Sequence, residues 1–71
     1  MTTENTYAIT HLVGTSTDSV DDAIRNGIKK AGETLRNLDW FEVTEIRGHL
    51  GHTNEVQHFQ VTMKVGFRYD D

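Results

Sequence analysis

Two stretches decide the fold: residues 38–49, LDWFEVTEIRGH, and residues 58–68, HFQVTMKVGFR. Both are rich in aromatic and β-branched residues, which is typical of β-strands. Residues 50–55, LGHTNE, lie between them; they are polar, contain a glycine and are few enough for a hairpin loop. The second half of the chain is therefore predicted to be one long β-hairpin.

Apolar and polar residues alternate along the second of these strands with a period of two. Its odd-numbered side chains are expected to face the core: Phe59, Val61, Met63, Val65 and Phe67. In the first strand Phe41, Val43 and Ile46 should face the same way, although odd and even positions cannot share one face of an unbroken strand. A β-bulge near Thr44 and Glu45 would add one residue and change the parity. We therefore predict a bulge at that position.

With this bulge, the opposite face of the hairpin holds a tryptophan. Trp40, Glu42 and Arg47 then point outward, on the face that also holds Gln60. An outward Trp exposes a large apolar area to water, so we expect something flat to cover it. Two alternatives remain open from the residues alone: Trp40 packs against another subunit without touching a ligand, or it binds a planar ligand.

The first half of the chain is predicted to be a strand followed by a helix. The strand covers residues 7–13 and ends at Gly14, and the helix covers residues 17–36 with Ser16 as its N-cap. Gly27 lies beside the apolar stripe of this helix, which favours a close approach to the sheet. The stripe repeats at steps of three and four residues: Val20, Ala23, Ile24, Ile28, Ala31 and Leu35.

These elements predict an α+β fold with the order β-α-β-β, in which a three-stranded antiparallel sheet wraps on one long helix. A right-handed crossover would place the first strand parallel to the second, and the third would pair between them. The helix covers one face of the sheet, whereas no element is left for the other face, and both outer strands keep unpaired edges. We therefore expect copies of the chain to associate.

Length and composition narrow the class of protein. The 71 residues predict one domain, 1–71, with a flexible tail at 1–6, and no cysteine is present to form a disulfide. Seven basic against eleven acidic residues give a net charge of -4, which argues against binding to nucleic acid or to an anionic membrane. No signal peptide or spanning segment is evident, so a cytoplasmic location is expected.

Four segments, in this order and spacing, resemble the dodecin family: residues 14–16 (GTS), 34–43 (TLRNLDWFEV), 46–49 (IRGH) and 59–68 (FQVTMKVGFR). The similarity runs from about Tyr7 to Tyr69. It implies a β-α-β-β subunit, a hollow homododecamer, and flavin pairs held at subunit interfaces. It also implies storage and photoprotection of the flavin (riboflavin, FMN or FAD) without catalysis, and coenzyme A as a possible further ligand.

The resemblance also implies roles for individual residues. Trp40 would stack on the flavin ring and Gln60 would hydrogen-bond its pyrimidine edge, as an amide can both donate and accept. Arg47 and Arg68 would face the phosphates of flavin nucleotides or of coenzyme A. Asp39 would accept a hydrogen bond from the ligand or close the turn after the helix.

Other interpretations of these cations stay open. Arg36 and Lys30 are further candidates for phosphate binding, and the dipole of the helix alone would explain Lys30. Arg47 and Arg68 would otherwise form surface ion pairs with carboxylates: Glu42, Glu45 or Asp70.

Two other functions remain as alternatives: a flavin-dependent oxidoreductase, and a coenzyme A-binding or purely structural shell. Against an enzyme, the chain has no Ser-His-Asp or Cys-His set, no glycine-rich phosphate loop and no paired carboxylates with an acid/base role. Four histidines, His11, His49, His52 and His58, show no metal-ligand spacing, so no metal site is expected. Our register places His58 across from Arg47, which favours pH-sensitive interface contacts over a metal site.

Overall fold

A computed structural model describes residues 4–69 of the chain. The elements are β1 (Tyr7–Ser16), α1 (Val20–Gly32), β2 (Leu38–Leu50) and β3 (Val56–Arg68), so the predicted β-α-β-β order is confirmed. The strands form one sheet in the order β1-β3-β2, with β3 antiparallel to both neighbours, as expected. No helix within residues 4–69 is long and apolar enough to cross a membrane.

The N-terminal side of α1 differs from the prediction. β1 continues through Gly14 to Ser16, and the helix begins at Val20 after a short turn. Ser19 is the N-cap, because its side chain accepts a hydrogen bond from the backbone N–H of Asp22 at 3.0 Å. Ser16, predicted as the N-cap, is buried and its hydroxyl accepts from the backbone N–H of Asp18 and Ser19. It therefore organises the turn before the helix instead of capping it.

The helix also ends earlier than predicted, at Gly32 rather than at residue 36. The backbone N–H groups of Thr34 and Leu35 both donate to the Ala31 carbonyl, at 3.2 and 2.9 Å, which closes a terminal turn. Asn37 then adopts a left-handed conformation with φ of 64°, which a short polar side chain tolerates. This residue directs the chain into β2.

The predicted tail, 1–6, lies partly outside the described residues. Within it, the Thr6 carbonyl accepts a hydrogen bond from the backbone N–H of Tyr69 at 3.0 Å.

The core lies where α1 crosses β1 and β3. Ala23 and three residues of the central strand are almost completely buried: Val61, Met63 and Val65. Two glycines make this crossing possible. A Cβ on Gly14 would overlap the Ala23 carbonyl oxygen, and a Cβ on Gly27 would meet Met63 Cε at 2.9 Å. The predicted close approach at Gly27 is confirmed.

The predicted β-bulge is present, because the register of β2 against β3 shifts between Val43 and Glu45. It places three apolar pairs on the inner face of the hairpin: Phe41–Val65, Val43–Met63 and Ile46–Val61. The inward positions expected for β2 are therefore confirmed.

One register prediction is wrong: His58 does not lie across from Arg47. His58 lies opposite His49, and Arg47 lies opposite Gln60. The reason is that β3 begins at Val56, two residues before the predicted start, and a compact turn joins it to β2. In that turn the Gly51 N–H donates to the Glu55 carbonyl at 2.8 Å, and Asn54 has a φ of 68°.

Candidate functional site

Trp40 lies on the outer face of the sheet, away from the helix. A second register shift, between Leu38 and Trp40, turns the tryptophan outward while Leu38 packs into the core. The indole lies directly over Gly66 of β3, where an added Cβ would overlap its Nε1, Cε2 and Cζ2 atoms. Trp40 is still 39% exposed. The backbone of β3 thus supports the indole from below and leaves part of it open to a ligand or a neighbouring subunit.

Tyr7 and Asp39 fix the surroundings of this indole. The Tyr7 hydroxyl donates to Asp39 Oδ2 at 2.8 Å, which links β1 to β2 across the central strand. The Tyr7 ring is tilted by 59° against that of Trp40, with 6.5 Å between centroids. The hydrogen bond to Asp39, above all, raises the pKa of Tyr7. Asp39, proposed from sequence as a ligand contact or a turn residue, therefore holds Tyr7 beside the indole.

Sequence reasoning missed Tyr7 and Gly66. Tyr7 lies opposite Arg68 at the start of β1, and the weak alternation of that strand did not reveal which face of the sheet Tyr7 occupies. Gly66 could have been found from its position, because a glycine in the middle of a strand often marks a close approach of another group.

Gln60 and Arg47 lie opposite each other on the same outer face, with Thr15 of β1 on the far side of Gln60. The Arg47 guanidinium donates to Glu45 Oε2 at 2.8 Å, so one of the surface ion pairs considered above is present. Both side chains of this pair are more than half exposed, and exposed ion pairs contribute little to stability. Arg47 can therefore exchange Glu45 for another anion at small cost.

The structure does not bring Trp40 and Gln60 together within one chain. Gln60 lies six residues before Gly66, the residue under the indole. At about 3.3 Å per residue along a strand, the two side chains are about 20 Å apart. We call the region of Tyr7, Asp39, Trp40, Gly66 and Arg68 the indole end, and that of Thr15, Arg47 and Gln60 the amide end. One three-ring ligand cannot reach both ends of the same copy.

The remaining predicted cations are divided between the two faces. Arg68 is the last residue of β3 and lies at the indole end. Its backbone carbonyl accepts a hydrogen bond from the side-chain amide of Asn37 at 3.3 Å. Its proposed pairing with Asp70 lies outside the described residues. Lys30 is on the helix side of the sheet and pairs with Glu33 at 3.4 Å. Arg36 follows the helix. Of the four cations, only Arg47 and Arg68 belong to the outer ends defined above.

Beyond the amide end, His49 and His58 are stacked, with ring centroids 5.1 Å apart and planes 7° from parallel. Within residues 4–69 no group of three or more His, Cys, Asp or Glu side chains could hold a metal ion.

The inner face of β2 is also uncovered. Phe41 and Ile46 point to the helix side but are 49% and 57% exposed. Phe41 borders a groove of about 580 Å³ beside α1, whose other lining residues include Ile24 and Ile28. The sequence predicted an uncovered outer face, but did not indicate that the inner face of β2 lies beyond the helix.

Known proteins resemble the chain over nearly its whole length. The Dodecin family model matches residues 6–70. A curated protein named Dodecin, from Thermus thermophilus, is 46% identical over 65 residues, which are 92% of this chain and 93% of that protein.

Solved structures give the same result. The structure of dodecin from Streptomyces davaonensis is 58% identical, with a TM-score of 0.92 over 97% of this chain and 100% of the other. The dodecin from Streptomyces coelicolor is 48% identical, with a TM-score of 0.91 over 99% of both chains. On the strength of the family model, the curated relative and these structures, the chain belongs to the dodecin family.

Proposed function

We propose that this protein binds and stores flavins, stacking them in pairs between Trp40 side chains where copies of the chain meet. The observation that supports this most directly is the position of the indole. It lies over Gly66 and remains 39% exposed, on a sheet face that no other element of the described chain covers. Membership of the dodecin family supports the same ligand class.

The indole end is suited to a flat aromatic ligand. An indole contributes area and dispersion to a stacked isoalloxazine, and offset stacking of two aromatic systems is favourable. Gly66 below and Tyr7 beside it limit the positions that Trp40 can adopt. A side chain already held in its bound position loses little conformational entropy when the ligand arrives.

Gln60 is proposed to hydrogen-bond the pyrimidine edge of the flavin from a different copy of the chain. The separation of about 20 Å within one copy makes such a shared site necessary if both side chains contact one ring. Around a twofold axis each surface occurs twice, so two indoles can enclose two flavins. The exposed apolar side chains on the inner face of β2 provide a further surface for association, which we propose leads to the family's homododecamer.

The phosphate tail of a flavin nucleotide is proposed to bind Arg47 and Arg68. A guanidinium contacts phosphate through two donors at once. Among residues 4–69, Arg47 pairs with an exposed carboxylate, Glu45, which a phosphate can replace. This predicts tighter binding of FMN and FAD than of riboflavin. Coenzyme A, which also has phosphates, is expected to compete for the same cations.

We propose that the bound flavin undergoes no turnover. A flavin stacked between an indole and a second flavin has no free face for another substrate, and a stacked indole can quench the excited flavin by electron transfer. Anaerobic addition of NADH should therefore leave the flavin oxidised. Fast and saturable bleaching would instead identify an oxidoreductase.

The test is a fluorescence-quenching titration with riboflavin, FMN, FAD and, as a competitor, coenzyme A. The wild type should quench flavin emission. Trp40→Ala lacks the quenching indole, so its binding is measured by equilibrium dialysis; it should bind about 10- to 100-fold more weakly, as expected for the loss of aromatic stacking. His52→Ala, a change in the exposed hairpin turn, is the matched control and should bind like the wild type. Unchanged flavin affinity in Trp40→Ala would refute the proposal.

A further inference from the structure

We propose that His49 and His58 form a binding site for a divalent transition-metal ion such as Cu²⁺ or Zn²⁺. They lie directly opposite each other on β2 and β3, and their rings are stacked at 5.1 Å. The site lies near the hairpin turn, eight residues along β3 from the residue under Trp40. It does not depend on flavin, so it can be tested without the proposed function.

The geometry favours two ligands from adjacent strands. Side chains directly opposite each other in an antiparallel pair have Cβ atoms about 4.5–5.5 Å apart. A metal ion lies about 2.0–2.1 Å from each imidazole nitrogen, so one ion can bridge such a pair once the rings turn toward each other. Within residues 4–69, neither His49 nor His58 has a hydrogen bond or ion pair that would prevent this rotation.

The surrounding charge permits a cation. Arg47, two residues before His49 on the same face, is paired with Glu45 at 2.8 Å, which offsets its charge locally. On β3 the corresponding neighbour is the neutral Gln60. The whole chain has a net charge of -4. A divalent ion at the histidine pair therefore meets little net repulsion.

The donor atoms define the class of metal. Imidazole nitrogen suits copper, zinc and nickel, whereas calcium and magnesium prefer oxygen. Because no third ligand completes a cluster within the described residues, water or an added small donor would fill the other coordination positions. In such a chelate the second imidazole binds at a high effective concentration, so each histidine is needed for the full affinity.

The test is titration of the full-length protein with Cu²⁺ and Zn²⁺, by calorimetry and, for Cu²⁺, electron paramagnetic resonance. We expect a spectrum with two equatorial nitrogen ligands. His49→Gln and His58→Gln should each weaken binding by at least about tenfold, because each removes one arm of the chelate. His11→Gln and His52→Gln remove an imidazole elsewhere and should bind like the wild type.

A second measurement needs no variant. Adding Zn²⁺ to the wild type should shift the imidazole nuclear magnetic resonance signals of His49 and His58 and leave those of His11 and His52 in place. Equal metal affinity in His49→Gln, His58→Gln and the wild type would overturn the proposal. So would a Cu²⁺ spectrum with one nitrogen, or a Zn²⁺ shift confined to His11 or His52.

Discussion

β2 and β3 are the two strands of one hairpin and are both 13 residues long, yet their inner faces differ in exposure. On β3, Val61, Met63 and Val65 are 0–1% exposed. On β2, Phe41 and Ile46 lie directly opposite Val65 and Val61 but are about half exposed. The same alternation of apolar side chains thus gives a core on one strand and an open apolar surface on the other.

The width of the helix explains this difference. A helix is about 10 Å across with its side chains, and neighbouring strands are about 4.8 Å apart, so one helix covers about two strands. α1 packs on β1 and β3, and β2 is the third strand. Burial is therefore decided by which strands the helix crosses, and β2 needs another surface. We propose that a second copy provides it.

The largest effects are expected on the covered side, where α1 packs on β1 and β3. Gly14→Ala places a Cβ against the backbone of Ala23, which cannot move aside as a side-chain end can. We expect a loss of about 3 kcal/mol in the free energy of unfolding, as for severe overpacking. Gly32→Ala is the control, since its Cβ would meet only Leu38 Cδ1 at 3.8 Å, and it should be neutral or stabilising. Denaturant unfolding at one fixed protein concentration measures both, and equal stabilities would contradict the packing of α1 on β1.

The next test separates the two strands directly. Met63→Ala creates a cavity under the helix and should cost about 2–5 kcal/mol in the free energy of unfolding. Phe41→Ala removes a half-exposed side chain, and should instead reduce the molar mass of the particle measured by light scattering while the circular dichroism spectrum is preserved. If Phe41→Ala kept the wild-type mass, β2 would not be an association surface.

Gly66→Ala tests the outer side, where Trp40 of β2 lies on β3. The added Cβ displaces the indole, so flavin binding should weaken by about 10- to 100-fold if stacking is the main contribution. Gly48→Ala is the matched control on the same hairpin. Its Cβ would lie 3.5 Å from the His58 carbonyl oxygen, an ordinary van der Waals contact, so this variant should bind flavin like the wild type. A fluorescence titration with FMN compares them, and equal affinities would show that the position of the indole is unimportant.

The smallest effect is expected in the turn that joins the strands. Hydrogen bonds from Thr53, first of all from its side chain, lower the pKa of Glu55 below its ordinary value of 4.5. A carboxyl group with a lowered pKa in the folded state stabilises the protein above its unfolded pKa and loses this contribution as the pH falls. The melting temperature of the wild type should therefore approach that of Glu55→Gln below pH 4.5.

The control for this titration is Thr53→Val, which removes the hydroxyl donor and should reduce the difference in melting temperature above that pH. A constant gap between the wild type and Glu55→Gln across the acidic range would exclude this role of Glu55.

Much of the fold was predictable because it follows from local patterns. The parity change between Val43 and Ile46 required the bulge, and the alternation on β3 identified its buried residues. The ends of α1 were not predictable, since both Ser16 and Ser19 are good caps, and β1 continues to Ser16 through its pairing with Phe59 of β3, which is a tertiary contact.

The candidate site was predicted residue by residue but not as an arrangement. The outward direction of Trp40 followed from the strand pattern, whereas its distance from Gln60 depends on the exact register and on three irregularities of the hairpin. The same register brings His49 opposite His58. A pairing error of two residues was enough to conceal that contact, because strand register is a tertiary property.

The separation of Trp40 from Gln60 within one chain implies that two defective proteins can rescue each other. If each flavin lies between the indole of one copy and the amide of another, Trp40→Ala chains retain intact amides and Gln60→Ala chains retain intact indoles. Particles unfolded together and reassembled from an equal mixture would regain some complete sites that neither parent possesses. Recovery of flavin binding in these mixed particles would show directly that each flavin site is formed by two copies of the chain.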